Sequence, residues 1–170
     1  MQNSFIFEGV EIRRCPNAKP NQGTAQLYCS ADGRFFSITR RSIRQVQHAF
    51  SPSHRTPGRS CHNGERGNVY PCMVNFGGRS CHSLIYETWV GPRTPGMQID
   101  HLNGDVLDYR ASNLEMVTPA ENRRRAKYLR IMRECDFDPR IFSRAQLHEI
   151  FAQDFDTFKA TLLHHKDGEA

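Results

Sequence analysis

The sequence has no apolar run long enough to cross a membrane. Such a span takes about 18 to 20 consecutive apolar residues, and none of the 170 residues lies in a run of that length. The N-terminal stretch carries Glu8 and Glu11 and has no apolar segment of signal-peptide length. These absences argue against a membrane protein or a secreted one, and we expect a soluble protein of the cytoplasm.

Paired Cys-x-x-Cys motifs, the strongest sequence sign of a zinc site, are also missing. The chain has six cysteines, and without a secretion signal we expect free thiols rather than disulfides. Cysteine and histidine do occur together at Cys61-His62 and Cys81-His82, with Cys72 between them. A zinc-stabilised interaction module therefore remains an alternative.

Apolar residues make up only 38% of the chain, which favours one core with exposed arms. Lysine and arginine exceed aspartate and glutamate by 23 to 18, an excess that favours a polyanionic partner. Between Thr118 and Arg133 the only acid is Glu121, so basic charge is concentrated there. The basic residues of this stretch are Arg123, Arg124, Arg125, Lys127, Arg130 and Arg133.

The first half of the chain is typical of strands. "QLYCSADGRFFSITR" alternates apolar and polar residues, which predicts a hairpin with its turn at Asp32-Gly33. The next stretch, "SPSHRTPGRSCHNGERGN", has no periodicity and predicts a basic loop. "VYPCMVNFGGRSC" returns to strand composition with a turn at Gly77-Gly78, and "HSLIYETWVG" predicts a helix in the core.

Residues 97–130 combine two short strands with a basic helix. "MQIDHL" and "LEMV" predict strands, separated by the turn "NGD" and the irregular "VLDYRASN". Thr118 can cap the following helix, Pro119 suits its first position, and Glu121 completes a capping box. Asn122 then lies in the first helical turn. No internal repeat is visible, and further along we expect two amphipathic helices starting near Ser143 and Asp154.

Two strands followed by a helix could bring Asp100, His101 and Asn122 into one cleft. Aspartate and asparagine offer the oxygen ligands that hard cations such as Mg²⁺ prefer. A neutral imidazole can take a proton from water near pH 7. Together these groups predict a site that hydrolyses phosphodiesters.

The pattern "IDHLNGD…SNLEMVTPAENRR", preceded by "CHSLIYETWVG", resembles the HNH endonucleases, in particular the homing-type branch of phages and introns. The resemblance covers about residues 68 to 128. It implies a ββα-metal fold in which His101 is the general base and Asp100 and Asn122 hold one divalent metal ion, Mg²⁺ or Mn²⁺. It also implies that Asn113 ties the excursion between the strands and orients His101.

Two positions bear on how far this resemblance extends. The third position of the motif is Asn122 rather than histidine, a variant that the family includes. Homing-type members usually carry arginine after the histidine of the upstream helix, whereas here Ser83 follows His82. We therefore transfer no phosphate-contacting role to position 83.

The resemblance implies double-stranded DNA as the partner, in a bacterial or phage-encoded protein. Arg123, Lys127 and Arg130 share one helical stripe, which we predict to contact the phosphate backbone. We expect the protein to bind no membrane and no small-molecule cofactor other than the metal ion. Nicking and double-strand cleavage, and monomer and oligomer, all remain alternatives.

We predict an α+β protein with three regions: a strand-rich region with a basic loop at 1–67, the ββα-metal nuclease core at 68–134, and a helical C-terminal tail at 135–170. The predicted function is a metal-dependent DNA endonuclease. A catalytically silent DNA-binding protein on the HNH fold is the alternative from another class.

Overall fold

The structure is a computed structural model that describes residues 3–20, 22–50 and 71–168. The basic loop expected at 51–68, which includes Cys61 and His62, lies outside the described residues. The chain divides into two compact units. Unit 1 comprises Met1–Arg93 and Val106–Ser112, and unit 2 comprises Thr94–Asp105 and Asn113–Ala170. The three regions predicted from the sequence, 1–67, 68–134 and 135–170, do not coincide with these two units. That division into three regions stays a prediction.

Unit 1 contains a five-stranded antiparallel sheet whose strands follow one another in chain order. The predicted hairpin is confirmed, with Gly33 at a φ of 95° in its turn. One face of the sheet carries a cluster of buried apolar side chains around Tyr28 and Phe36. The strands are β1 Ser4–Phe7, β2 Val10–Arg14, β3 Gln26–Ser30, β4 Phe35–Ile38 and β5 Ile43–Val46.

The described residues of unit 1 also include a three-stranded sheet and an α-helix. The sheet consists of β6 Ala49–Phe50, β7 Pro71–Met73 and β8 Arg79–Ser80. The helix, α1 Cys81–Trp89, packs on β2, β3, β7 and β8. Leu84 and Ile85 of α1 are fully buried, which confirms the core helix predicted from "HSLIYETWVG".

The excursion Val106–Ser112 also belongs to unit 1, although the strands on either side of it belong to unit 2. Its Ala111 N–H donates a hydrogen bond of 2.8 Å to the carbonyl of Ala31. The Tyr109 hydroxyl lies 2.8 Å from His48 Nδ1, and its ring packs near Phe35. The excursion is thus held by the β3–β4 hairpin and its surroundings.

Unit 2 is a ββα arrangement followed by helices. Strands β9 Gln98–His101 and β10 Leu114–Val117 pair antiparallel, with His101 opposite Leu114 and Asp100 opposite Glu115. Helix α2, Pro119–Glu134, packs on β9. The tail consists of α3 Arg144–Ala152 and α4 Phe155–Gly168. The predicted α+β fold class and the two C-terminal helices are confirmed.

Tyr128 lies at the centre of the unit 2 core. Its ring contacts Phe151, Phe155 and Phe158 of the tail at centroid distances of 5.1 to 5.9 Å. Its hydroxyl donates to the carbonyl of Gln153 at 2.6 Å. The tail helices are therefore part of the core of unit 2 and hold α2 in place.

Local capping explains where these helices begin. Thr118 Oγ1 accepts a hydrogen bond of 3.1 Å from the Glu121 N–H, as predicted. The Glu121 carboxylate, however, binds Arg124 and Arg125, so only the forward half of the predicted capping box is present. Helix α3 has a complete capping box between Ser143 and Gln146. Within the part of the chain that the structure describes, no helix has the length and apolarity needed to cross a membrane.

Gly104, in the turn after β9, offers a test of this packing. Its φ is +67°, and an added Cβ would lie 2.9 Å from Leu129 Cδ1 and 2.5 Å from Arg133 Nη2. Gly104→Ala should therefore lower the free energy of unfolding by about 2 to 3 kcal/mol, from backbone strain and crowding together. Urea denaturation measures the change.

Gly96→Ala is the matched control, because Gly96 has a φ of +78° and nothing within 4 Å of an added Cβ. It should cost only the strain of a left-handed residue, about 1 kcal/mol. Equal losses in the two variants would mean that crowding against Leu129 contributes nothing.

Candidate functional site

Asp100 and His101 lie at the end of β9, and both are buried, with 7% and 5% of their surface exposed. Successive residues of a strand point to opposite faces, so the two side chains leave β9 on different sides. Gln98 shares the Asp100 face, which is the face that α2 covers. Asp100 is thus directed towards the helix.

Asn113 closes the turn that follows β9. Its Oδ1 accepts from the Asn103 N–H at 3.1 Å, and its Nδ2 donates to Asn103 Oδ1 at 2.9 Å. Its carbonyl accepts from the Leu102 N–H at 2.9 Å, and the Gly104 N–H donates to the His101 carbonyl at 2.7 Å. These bonds fix the backbone around His101, and the orienting role expected of Asn113 stays a prediction.

Asn122 lies in the first turn of α2, as predicted. Its Nδ2 donates to Gln98 Oε1 at 2.8 Å. This bond uses the nitrogen end of the amide, so the oxygen end is the one that could bind a cation. Because Gln98 and Asp100 share a face of β9, the structure brings Asn122 and Asp100 to the same side of the strand.

Arg125, one turn further along α2, is the residue that sequence reasoning missed. Its buried guanidinium reaches Asp100 Oδ2 at 3.4 Å, Glu115 Oε2 at 2.6 Å and Glu121 Oε1 at 2.8 Å. It also lies over the ring of Phe151, 5.1 Å from the centroid. One arginine thereby joins both strands, α2 and α3.

The electrostatics of Asp100 follow from this arrangement. Burial raises the pKa of the Asp100 carboxyl above its usual range, and the charge of Arg125 opposes that rise without cancelling it. By contrast, hydrogen bonds from Arg124 first, and from Arg125, lower the pKa of Glu121 to about 2. The ionised form of Asp100 is thus only partly compensated, and a cation beside it would stabilise that form further.

Residues 79–124 match the family model described as HNH endonuclease. This segment, the HNH segment, includes Asp100, His101, Asn113 and Asn122, and the resemblance stated from the sequence is confirmed there. The match covers 46 of the 170 residues and supports nuclease activity on DNA in general terms. Neither curated proteins nor solved structures gave a match to the chain.

The basic residues at the end of the HNH segment and just beyond it fall into two groups. Arg123, Lys127 and Arg130 are exposed along one stripe of α2, as predicted from their spacing. Arg124 instead binds Glu121 and the carbonyl of Phe151, the latter at 2.6 Å. The exposed stripe remains available for DNA, and its contact with DNA stays a prediction.

Ser83, at the start of the HNH segment, is 6% exposed and accepts a hydrogen bond of 2.8 Å from the Ser80 hydroxyl. A small hydroxyl side chain in this buried position holds the start of α1.

The cysteines in the described part of the chain are free thiols, as predicted for them: Cys15, Cys29, Cys72, Cys81 and Cys135. Among the described residues, no group of three or more His, Cys, Asp or Glu side chains is placed to hold a metal ion. Cys61 and His62, on which the zinc alternative partly rests, lie outside these residues, so that alternative stays a prediction. The candidate cation ligands Asp100 and Asn122 form a different kind of donor set, one carboxylate and one amide.

The contribution of Arg125 to the free energy of unfolding can be measured by replacing it with methionine. Arg125→Met should lower the free energy of unfolding by about 3 kcal/mol at neutral pH, because the Asp100 charge stays buried without its partner. When the pKa of a carboxyl is raised in the folded state, the folded protein loses stability as pH rises through that pKa. Removing Arg125 enlarges this loss, because it raises the pKa of Asp100 further. The loss should therefore be smaller at about pH 4 than at about pH 7.

Arg130→Met on the same helix is the control. The Arg130 side chain is 68% exposed and its ion pair with Glu134 measures 3.6 Å, so the change should stay within about 0.5 kcal/mol. Denaturant unfolding at both pH values compares the variants, and a pH-independent loss in Arg125→Met would contradict the account of Asp100.

Proposed function

We propose that this protein is a metal-dependent DNA endonuclease that hydrolyses phosphodiester bonds. The observation that carries the proposal is the HNH segment, in which Asp100 and Asn122 lie on one side of β9 and Asn113 fixes the backbone of His101. A carboxylate and an amide can hold a hard cation, and an imidazole can take a proton from water, so together these groups can support hydrolysis of a phosphodiester.

In this proposal His101, the last residue of β9, is the general base. Because it leaves the strand on the side opposite Asp100, the scissile phosphate would lie past the end of β9, where both side chains can reach it. A neutral imidazole takes a proton from the attacking water near neutral pH. The bonds of Asn113 to Asn103 and Leu102 keep the end of β9 in one conformation, and a fixed base needs no reorganisation at the moment of reaction. Asn113 thus acts through the position of His101 and not through contact with the substrate.

Asp100 and Asn122 are proposed to hold one divalent cation, Mg²⁺ or Mn²⁺. Their oxygens are the hard donors that these ions prefer, and the partly compensated charge of Asp100 suits a cation. When bound, such an ion supplies Lewis-acid stabilisation of the departing 3′ oxygen. Arg125 orients the Asp100 carboxylate through its 3.4 Å contact with Oδ2. The products would carry 5′-phosphate and 3′-hydroxyl ends.

A catalytically silent DNA-binding protein is the second candidate. The contact of Asp100 Oδ2 with Arg125 at 3.4 Å favours it, because an arginine can substitute for a cation at a carboxylate. Supercoiled plasmid incubated with Mg²⁺ or Mn²⁺ separates the two candidates. Nicked or linear product supports the nuclease, and unchanged plasmid at saturating protein supports the silent protein.

His101→Ala should reduce plasmid cleavage by about 10² to 10⁴ while leaving the Kd for DNA nearly unchanged, since a general base acts in the transition state. His164→Ala, at an exposed position on α4, is the matched control and should cleave like the wild type. Cleavage rates from the time course of nicking give the comparison. Full activity of His101→Ala at saturating metal would remove His101 from this role.

Asp100→Ala and Asn122→Ala should each raise the metal concentration that half-saturates cleavage, because each removes an oxygen ligand. Calorimetric titration with Mn²⁺ in the absence of DNA should show the same weakening, which separates metal binding from turnover. Glu149→Ala, an exposed carboxylate of α3, should bind Mn²⁺ like the wild type. Unchanged isotherms in both ligand variants would show that the cation binds elsewhere.

A further inference from the structure

The basic charge of this protein is distributed unequally between its two units. Counted over the whole sequence, unit 1 has thirteen basic and six acidic side chains, whereas unit 2 has ten basic and twelve acidic ones. Two of the arginines in unit 2, Arg124 and Arg125, are already paired with its own carboxylates. The unit with the candidate site therefore has little net attraction for a polyanion, and unit 1 has much more.

Part of this excess lies on one hairpin of unit 1. Arg40 and Arg41 lie in the turn between β4 and β5, and Arg44 lies on β5, all three exposed. In the portion of the chain that the structure describes, no carboxylate forms an ion pair with any of them. We call residues 35–46 the arginine hairpin.

Other arginines of unit 1 differ from these three. Arg34 pairs with Asp32 at 2.8 Å, Arg79 with Glu87 at 2.5 Å, and Arg110 with Asp108 at 2.7 Å. Each of these charges is neutralised by a neighbour. Because acidic side chains neutralise these other arginines, the arginine hairpin differs from them in presenting to solvent a positive charge that is unpaired within the described residues.

The turn of the arginine hairpin is held in one shape. The Thr39 N–H donates to the Ser42 carbonyl at 2.9 Å, and Thr39 Oγ1 accepts from the N–H groups of Arg41 and Ser42 at 3.2 and 3.1 Å. Strand β5 is the last strand of its sheet. The arginine hairpin is thus a pre-organised turn followed by the edge strand of a five-stranded sheet, and its exposed arginines can be approached by a phosphate backbone.

We propose that the arginine hairpin binds duplex DNA, with Arg40, Arg41 and Arg44 contacting phosphates. Guanidinium groups form strong paired hydrogen bonds with phosphate oxygens, and phosphate contacts position a protein on DNA without selecting sequence. The proposal rests on the proposed function for its choice of DNA as the polyanion. It places a large share of the DNA affinity in unit 1, outside the HNH core strands and helix of unit 2.

The test compares variants in a salt titration of DNA binding. Fluorescence anisotropy with a labelled duplex of arbitrary sequence, in EDTA to prevent cleavage, gives Kd over a range of salt concentrations. The hairpin variant is R40Q/R41Q/R44Q, and the stripe variant R123Q/K127Q/R130Q removes the exposed charges of α2. R34Q/R110Q is the matched control, because both of its arginines are neutralised by acids.

Each lost phosphate contact lowers the slope of log K against log salt by about 0.9. The hairpin variant should therefore lose about 2 to 3 units of slope, and R34Q/R110Q should keep the wild-type slope. The stripe variant should lose slope independently, so that the two losses add. R40K/R41K/R44K should retain the wild-type slope, since lysine keeps the charge that phosphate contact needs. Thermal unfolding checks that the variants fold alike.

Three results would overturn the proposal: a hairpin variant with wild-type slope and Kd, a lysine variant as weak as the glutamine one, or a hairpin variant that loses binding to phosphatidylserine vesicles but not to DNA. Plasmid cleavage by the wild-type protein is measured in parallel. If the wild type does not cleave but the hairpin variant loses slope, the nuclease proposal fails and this one stands. If the wild type cleaves and the hairpin variant binds normally, the reverse holds.

Discussion

The buried guanidinium of Arg125 is the interaction on which the rest of unit 2 depends. It binds Asp100 of β9, Glu115 of β10 and Glu121 of α2, and it lies over Phe151 of α3. Such a group is costly to bury, and only complete pairing offsets the lost hydration. Strand pairing, helix position and tail docking must all be correct for that pairing to form. The charge at the end of β9 is therefore set by the same contacts that build the fold.

Much of the fold was predictable because its signals are local. The glycine of the turn at Gly33, and the threonine and proline at the start of α2, act on residues only three or four positions away. The turn and the helix start can therefore be predicted without knowledge of tertiary contacts. The motif around Asp100, His101 and Asn113 was recognisable for the same reason, and its segment matches the HNH family. Order along the chain was enough to place these residues at one turn.

Contacts that depend on tertiary partners were not predictable in this way. Glu121 has the spacing of a capping box, but two arginines compete for its carboxylate and the return bond to Thr118 is lost. In the sequence, Arg125 is one member of a basic run. Only the pairing of β9 with β10, which places Asp100 opposite Glu115, shows that it has carboxylate partners. The basic run along α2 likewise suggested that the positive charge lies there, whereas over the whole of unit 2 acidic residues outnumber basic ones, which makes unit 1 the more basic. Two arginines of the run, Arg124 and Arg125, are also paired with carboxylates.

The excursion Val106–Ser112 has a consequence for how this protein can be divided. The chain enters unit 2 at Thr94, returns to unit 1 for seven residues, and re-enters unit 2 at Asn113. A fragment beginning at Thr94 would contain the excursion without Ala31 and His48, its partners in unit 1. The two units are therefore not two consecutive segments of the chain. A genetic exchange that moved residues 94–170 alone would leave the loop between β9 and β10 without its hydrogen-bond partners.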